Sequence, residues 1–220
     1  MSDRKLPIVI AITGASGAIY AARLMQVLCQ TDQEIHLTIS PSGAAVIAQE
    51  LDLRLDIRRP NLESLVGYVA PWTTSQAIKE NASRAAELVN DQIHFHQYDD
   101  YMTPIASGSF RTRAMVICPC SGSTLSGIAR AAASNLIQRA AEVHLKEHRK
   151  LVIVPRETPM SVLQIENMHR LAQAGAVLLP AMPGWYHGVD SIDSLVDFVV
   201  ARILDQLDVD NTLMKRWGEA

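Results

Sequence analysis

Five short apolar runs constrain the fold more than any other feature of the chain: PIVIAIT (7 to 13), EIHLTIS (34 to 40), AMVICP (114 to 119), KLVIVP (150 to 155) and GAVLLP (175 to 180). Each is rich in Val, Ile or Leu and ends at Gly, Pro, Ser or Thr, as expected of strands buried on both faces of a sheet. Helix-compatible stretches separate most of them, at roughly 17 to 30, 42 to 53, 74 to 89, 123 to 130, 134 to 148, 160 to 173 and 191 to 207. Strands that alternate with helices are joined by crossovers, which make neighbours parallel and place helices on the faces. The expected fold is therefore α/β: a three-layer, Rossmann-like (flavodoxin-like) parallel sheet with helices on both faces. No repeat or second core is visible, so residues 1–220 read as a single domain with a C-terminal tail from about 208. Residues 54 to 106 show no clean period and read as a helix plus an irregular or short-strand excursion attached to the sheet.

Composition narrows the class of partner. The chain has 220 residues, 48% apolar and 20% charged, and a formal net charge of −3. That balance argues against a nucleic-acid surface, which needs a clustered basic face, but leaves room for a small anion held by local cations. No apolar run approaches the roughly 20 residues of a spanning helix, so no membrane role is expected. The opening MSDRKLPIVIAITGASGA resembles a secretion signal only superficially; it is short, contains Thr13 and enters a glycine turn, so it reads as a retained first strand. Of the three cysteines, Cys118 and Cys120 stand too close for an unstrained disulfide and lack partners for zinc, which points to reduced thiols and a cytoplasmic protein.

Open α/β sheets bind ligands beyond the carboxyl ends of their strands, so the residues that follow each run carry the functional signal. After the first run, Gly14, Ala15, Ser16 and Gly17 lead into a helix whose backbone amides, with the Ser16 hydroxyl, suit a phosphate. The spacing is neither G-x-G-x-x-G nor a P-loop, and a plain strand-to-helix turn accounts for it equally well. Ser40 ends the second run, with Glu50 in the helix that follows, and a helix N-cap role for Ser40 or Ser42 is an equal alternative. Ser121, Gly122, Ser123 and Thr124 follow the third. Hydroxyl clusters at three strand ends favour a polar, phosphate-bearing ligand. The fourth run ends in Arg156 and Glu157, a forked donor beside a carboxyl able to move a proton. In NLIQRAAEVHLKEHRK, Arg139, Glu142 and Lys146 share one helical stripe, for which a plain Glu142–Lys146 surface pair is the ordinary explanation. His144 and His148, like His94 and His96, lack a third partner for a metal, so no metal site is expected. The last helix should bury Ile192, Leu195, Val196, Val199 and Ile203, with Arg202 at the edge of that stripe, and Trp185-Tyr186 follows the fifth run.

These residues occur together in a recognisable order. GASGAIY (14 to 20), PCSGSTLSGI (119 to 128), the block from NLIQRAAEV (135 to 143) to RETP (156 to 159), GAVLLPAMPGWYH (175 to 187) and VARILDQL (200 to 207) resemble the flavin prenyltransferase family, UbiX, over nearly everything outside 54 to 100. The resemblance implies a homo-oligomeric, often dodecameric, FMN-binding protein. Members join a dimethylallyl group from dimethylallyl monophosphate to N5 and C6 of reduced FMN, without metal, for use by a partner decarboxylase. By position it implies that Gly14, Ala15, Ser16, Ser40, Ser121, Gly122, Ser123, Thr124 and Arg156 hold FMN. Arg139, Lys146, Tyr186 and Arg202 would hold the prenyl phosphate, Glu157 would carry the proton with Glu50 supporting, and Trp217 would approach from the tail. The chain departs from the family's usual residues at Gly122-Ser123, at Ala133-Ser134 and at Gly188-Val189. The flavin-dependent cysteine decarboxylases are a rival, but their P-x-M-N-x-x-M-W segment does not occur in the chain; a non-catalytic flavin carrier is a second.

Overall fold

The computed structural model describes residues 5–218. Its strands are β1 (Ile8–Ile12), β2 (Ile35–Ile39), β3 (Ile93–His96), β4 (Ala114–Cys120), β5 (Lys150–Pro155) and β6 (Val177–Leu178), and its helices α1 (Ala18–Leu28), α2 (Pro41–Leu51), α3 (Leu62–Val66), α4 (Gln76–Gln92), α5 (Gly122–Ala129), α6 (Leu136–Lys146), α7 (Val162–Gln173) and α8 (Ile192–Gln206), with a 3₁₀ turn at Pro104–Ala106. The strands form one sheet in the order β3-β2-β1-β4-β5-β6, and every neighbouring pair is parallel. This is the doubly wound α/β arrangement expected from the alternation of runs. The order reverses between β1 and β4, where the loops leaving the two strands diverge and open a crevice.

Alternation of side chains along each strand splits the interior in two. Ile8, Ile10 and Ile12 of β1 face a core shared with α1, α2, α4 and α8, whereas Val9 and Ala11 face a second core built with α5, α6 and α7. Both faces are covered, which is why the central strands read as unbroken apolar runs. A buried ion pair, Arg23 Nε to Asp197 Oδ1 at 2.6 Å, ties α1 to α8 and sets which side of α8 turns outward.

The structure adds detail where the sequence was least readable. The excursion over 54 to 106 contains α3, α4 and an edge strand, β3, whose Ile93 alone is buried while His94 is exposed. The fifth expected strand shortens to Val177–Leu178. Ile192, expected inside, is 51% exposed because it opens the first turn of α8 before the helix reaches the sheet. Among the described residues no helix is long and apolar enough to cross a membrane.

Candidate active site

The β1 and β4 loops are pinned to each other at the switch point. The buried Thr13 hydroxyl donates to the Pro119 carbonyl at 2.8 Å and accepts from the Ser121 N–H at 2.7 Å. Gly14 follows, and a Cβ there would lie 2.5 Å from Ser42 Cβ, so only glycine lets the β1 turn close on the start of α2. Ala15 is buried beneath this turn and Ser16 is partly exposed. Ser40 caps α2, its Oγ accepting from Gly43 N–H at 2.9 Å, and Ser121 caps α5, accepting from Thr124 N–H at 3.4 Å. The capping alternative raised for Ser40 thus holds. Ser121 Oγ also lies 3.1 Å from both Ser123 Oγ and Thr124 Oγ1, and the first amides of α5, at Gly122 and Ser123, have no intrahelical acceptor. Arg156 leaves β5 and reaches back so that Nε donates to the Ser16 carbonyl at 3.2 Å; among the described residues its other nitrogens meet no acceptor. Glu157 stands exposed beside it, accepting from Gln164 Nε2 at 3.0 Å. Every residue expected to hold FMN, and Glu157, therefore stands on this one edge of the sheet.

The start of α1 differs from expectation. Glu50 Oε2 accepts from both Gly17 N–H and Ala18 N–H at 2.9 Å, so the amides that looked ready for a phosphate are capped by the chain's own carboxylate. The glycine at the N-cap has φ 116° and no side chain with which to do this. Sequence reasoning assigned no role to Tyr20. It packs over Gly17, where a Cβ would lie 2.9 Å from its ring, and burial, with Cys118 and Glu50 adding to it and Arg156 opposing, raises the phenol above its ordinary range. The signal was its place one turn beyond the glycines on the crevice side of α1. Thr13 and Gln164 were likewise missed.

The residues expected to grip a prenyl phosphate are not brought together within one chain. Arg139 and Lys146 lie on α6, on the second-core side of the sheet. Arg139 Nε donates to the Ala106 carbonyl at 3.0 Å, and Lys146, at the far end of the helix, pairs with Glu147. The plain Glu142–Lys146 pair does not form, because Glu142 Oε1 accepts from Ala133 N–H at 3.0 Å. Tyr186, in the segment before α8, and Arg202 of α8 belong to the opposite side. The Tyr186 ring meets Phe198 edge-on at 5.8 Å and Trp217 at 5.3 Å. Arg202 shares Asp205 with Arg216, at 2.7 and 2.9 Å, and Arg216 above all holds the Asp205 carboxyl below its usual range. The tail thus carries Trp217 onto Tyr186, while residues 219–220 lie outside the described residues. The three cysteines are buried free thiols, and burial pushes Cys120 up to about 12.

The donor set fits FMN. Glycine at 14 and 43 brings backbone close at the crevice floor, where a Cβ on Gly43 would lie 2.6 Å from the Ile12 carbonyl oxygen. Hydroxyls at three strand ends, the opening amides of α5 and the unpaired fork of Arg156 supply the donors that a phosphate and a polar ring edge require.

Residues 1–204 match the family model described as Flavoprotein. The chain is 46% identical over 212 residues, covering 96% of it and 94% of the relative, to the flavin prenyltransferase UbiX of Pseudomonas aeruginosa. It is 43% identical over 220 residues, with both chains fully covered, to that of Alkalihalophilus pseudofirmus. Among solved structures, AnUbiX (PadA1) in complex with FMN and dimethylallyl pyrophosphate superposes with a TM-score of 0.78 at 34% identity, covering 99% of this chain and 100% of that one. The dodecameric FMN-dependent Ubix-like decarboxylase of Escherichia coli O157:H7 does so with a TM-score of 0.76 at 34% identity, covering 96% and 99%. The FMN-dependent cysteine decarboxylase TvaF shares the fold alone, at 14% identity and a TM-score of 0.54. With relatives so similar along the whole length and a crevice built from the same residue types, this chain belongs to the flavin prenyltransferase family, UbiX.

Proposed function

We propose that the protein is a flavin prenyltransferase that joins the dimethylallyl group of dimethylallyl monophosphate to N5 and C6 of reduced FMN, producing prenylated FMN for a partner decarboxylase. The observation that carries this reading is the crevice between β1 and β4, where glycine turns, hydroxyls from three strand ends and the Arg156–Glu157 pair meet in a chain 43–46% identical to flavin prenyltransferases. FMN supplies the nucleophilic ring that accepts the allyl group. Gly14, Ala15, Ser16, Ser40, Ser121, Gly122, Ser123, Thr124 and Arg156 hold and orient it.

Departure of an allylic phosphate concentrates negative charge on its oxygens, and arginine, lysine and phenol donors preorganised around them lower that barrier. Arg139, Lys146, Tyr186 and Arg202 have this chemistry. Because the α6 pair and the pair of Tyr186 and Arg202 occupy opposite faces of one chain, we assign the complete grip to two subunits of a homo-oligomer, as the dodecameric relative suggests. Exposed Trp185 and Trp217, at 71% and 82%, mark apolar surface beside Tyr186 available for such packing. Glu157 carries the proton released at the ring edge.

Incubation of the purified protein with reduced FMN and dimethylallyl monophosphate, followed by mass analysis of the flavin, tests the reading. A heavier flavin is expected, whereas unchanged FMN would identify a carrier. Glu157→Gln should bind FMN normally and slow transfer by roughly a hundredfold, in the range for loss of a positioned proton carrier; normal turnover in that variant would overturn the role.

A further inference from the structure

Gln164 is the third residue of α7, and its side chain works at both ends. Its carbonyl oxygen accepts from Ser161 N–H at 2.8 Å while Ser161 Oγ accepts from Gln164 N–H at 3.3 Å, a reciprocal cap on the helix. That bond fixes the orientation of the amide, so its NH₂ end faces Glu157 Oε2 at 3.0 Å. The same nitrogen rests on the opening residue of α5, and a Cβ on Gly122 would lie 3.0 Å from it. These groups line a shallow recess whose other walls include Leu125, Met160 and Met168. Among the described residues, the Gln164 amide is the one protein donor within hydrogen-bond distance of the Glu157 carboxylate.

We infer that Gln164 is a positioning residue for Glu157, turning its carboxylate toward the start of α5 while the other end of the same amide caps α7. The inference rests on the proton-carrier role proposed for Glu157.

Gln164→Glu tests this in the full-length holoenzyme, because glutamate serves the reciprocal cap as well as glutamine but presents no donor to Glu157. Gln164→Met, uncharged and of similar length, controls for repulsion between the two carboxylates. In both variants kcat for flavin prenylation should fall roughly ten- to a hundredfold, the kinetic equivalent of one hydrogen bond to a charged group, with KM and FMN affinity within about twofold. The melting temperature should drop more in the methionine variant, which loses the cap, than in the glutamate variant, which keeps it. In a Glu157→Gln background neither change should lower the residual rate further. The inference is overturned by a wild-type kcat in either variant while Glu157→Gln is inactive, by an equal fractional loss in the Glu157→Gln background, or by a loss that follows FMN affinity. Should Glu157→Gln itself turn over normally, the proton-carrier reading fails and the positioning role falls with it.

Discussion

A carboxylate among backbone amides shows how far single residues can be read without a structure. Ser40 was legible because a hydroxyl just before a helical stretch is a local signal, satisfied by an N–H three residues on. Glu50 was not, because the amides that it caps are 33 and 32 residues away in the chain and only the packing of α2 against α1 brings them together. The glycines of the β1 turn therefore seemed to offer donors that the fold has already engaged. The consequence is measurable. Glu50→Ala should cost about 1–2 kcal/mol in urea denaturation, the size of a lost helix cap and its charge–dipole attraction, and Glu50→Gln, which keeps an acceptor oxygen, should cost less. An alanine variant as stable as its parent would show that water satisfies these amides equally well.

At the level of elements, α6 and β3 mark the boundary between what periodicity reveals and what it hides. The buried arc of α6 includes Leu136, Ala140 and Val143, as its spacing predicts, and also His144, which stands four residues after Ala140 on the same arc. Read as half of a His144–His148 pair it carried no message. In the fold His144 Nδ1 donates to the Ala140 carbonyl at 2.7 Å, Nε2 lies 2.8 Å from Thr112 Oγ1, and His148 is exposed. Burial, with nearby Arg149 adding to it, lowers the His144 pKa to about 4, against backbone hydrogen bonds to Ala140 and Ala114 that raise it. A histidine held below its ordinary value favours the neutral form in the fold, so its contribution to stability is complete above about pH 6.5 and is lost as pH falls toward 4. The loss from His144 alone should be on the order of 3 kcal/mol. His96 of β3, lowered to about 4 by burial and then by His36, whose Nδ1 lies 2.7 Å away, adds to the same acid sensitivity. Urea midpoints measured from pH 7 to pH 4 should therefore fall steeply, and His144→Gln should flatten part of that slope; an unchanged slope would remove His144 from the account. The strand β3 was legible only as part of an irregular or short-strand excursion, for a related reason. An edge strand with one buried residue and two histidines lacks the Val and Ile density that betrays strands covered on both faces.

For the molecule as a whole, alternation of strands and helices gave away the doubly wound sheet, but nothing in a one-dimensional pattern says on which side of the sheet a given helix lies. That is why Arg139, Lys146, Tyr186 and Arg202 looked like one constellation along the chain. In the fold, α6 packs on the core that contains Val9 and Ala11 and α8 on the core that contains Ile8 and Ile10, with the sheet between them. If the proposed grip on the prenyl phosphate takes its α6 cations from one subunit and Arg202 of α8 with Tyr186 from another, two inactive variants must be able to repair each other. Lys146→Ala and Arg202→Ala, each purified alone, should lose most prenyl transfer while still binding FMN, since neither residue touches the crevice between β1 and β4. Co-expressed with different affinity tags and purified through both, the mixed oligomers should regain activity. Random mixing in equal amounts leaves about one quarter of shared sites with both halves intact, because each half comes independently from either type of subunit. Tandem-purified hybrids as inactive as the single variants would place both contributions on the same subunit or remove one of them from the reaction, and the two-subunit assignment would then fail even if flavin prenylation by the parent protein were intact.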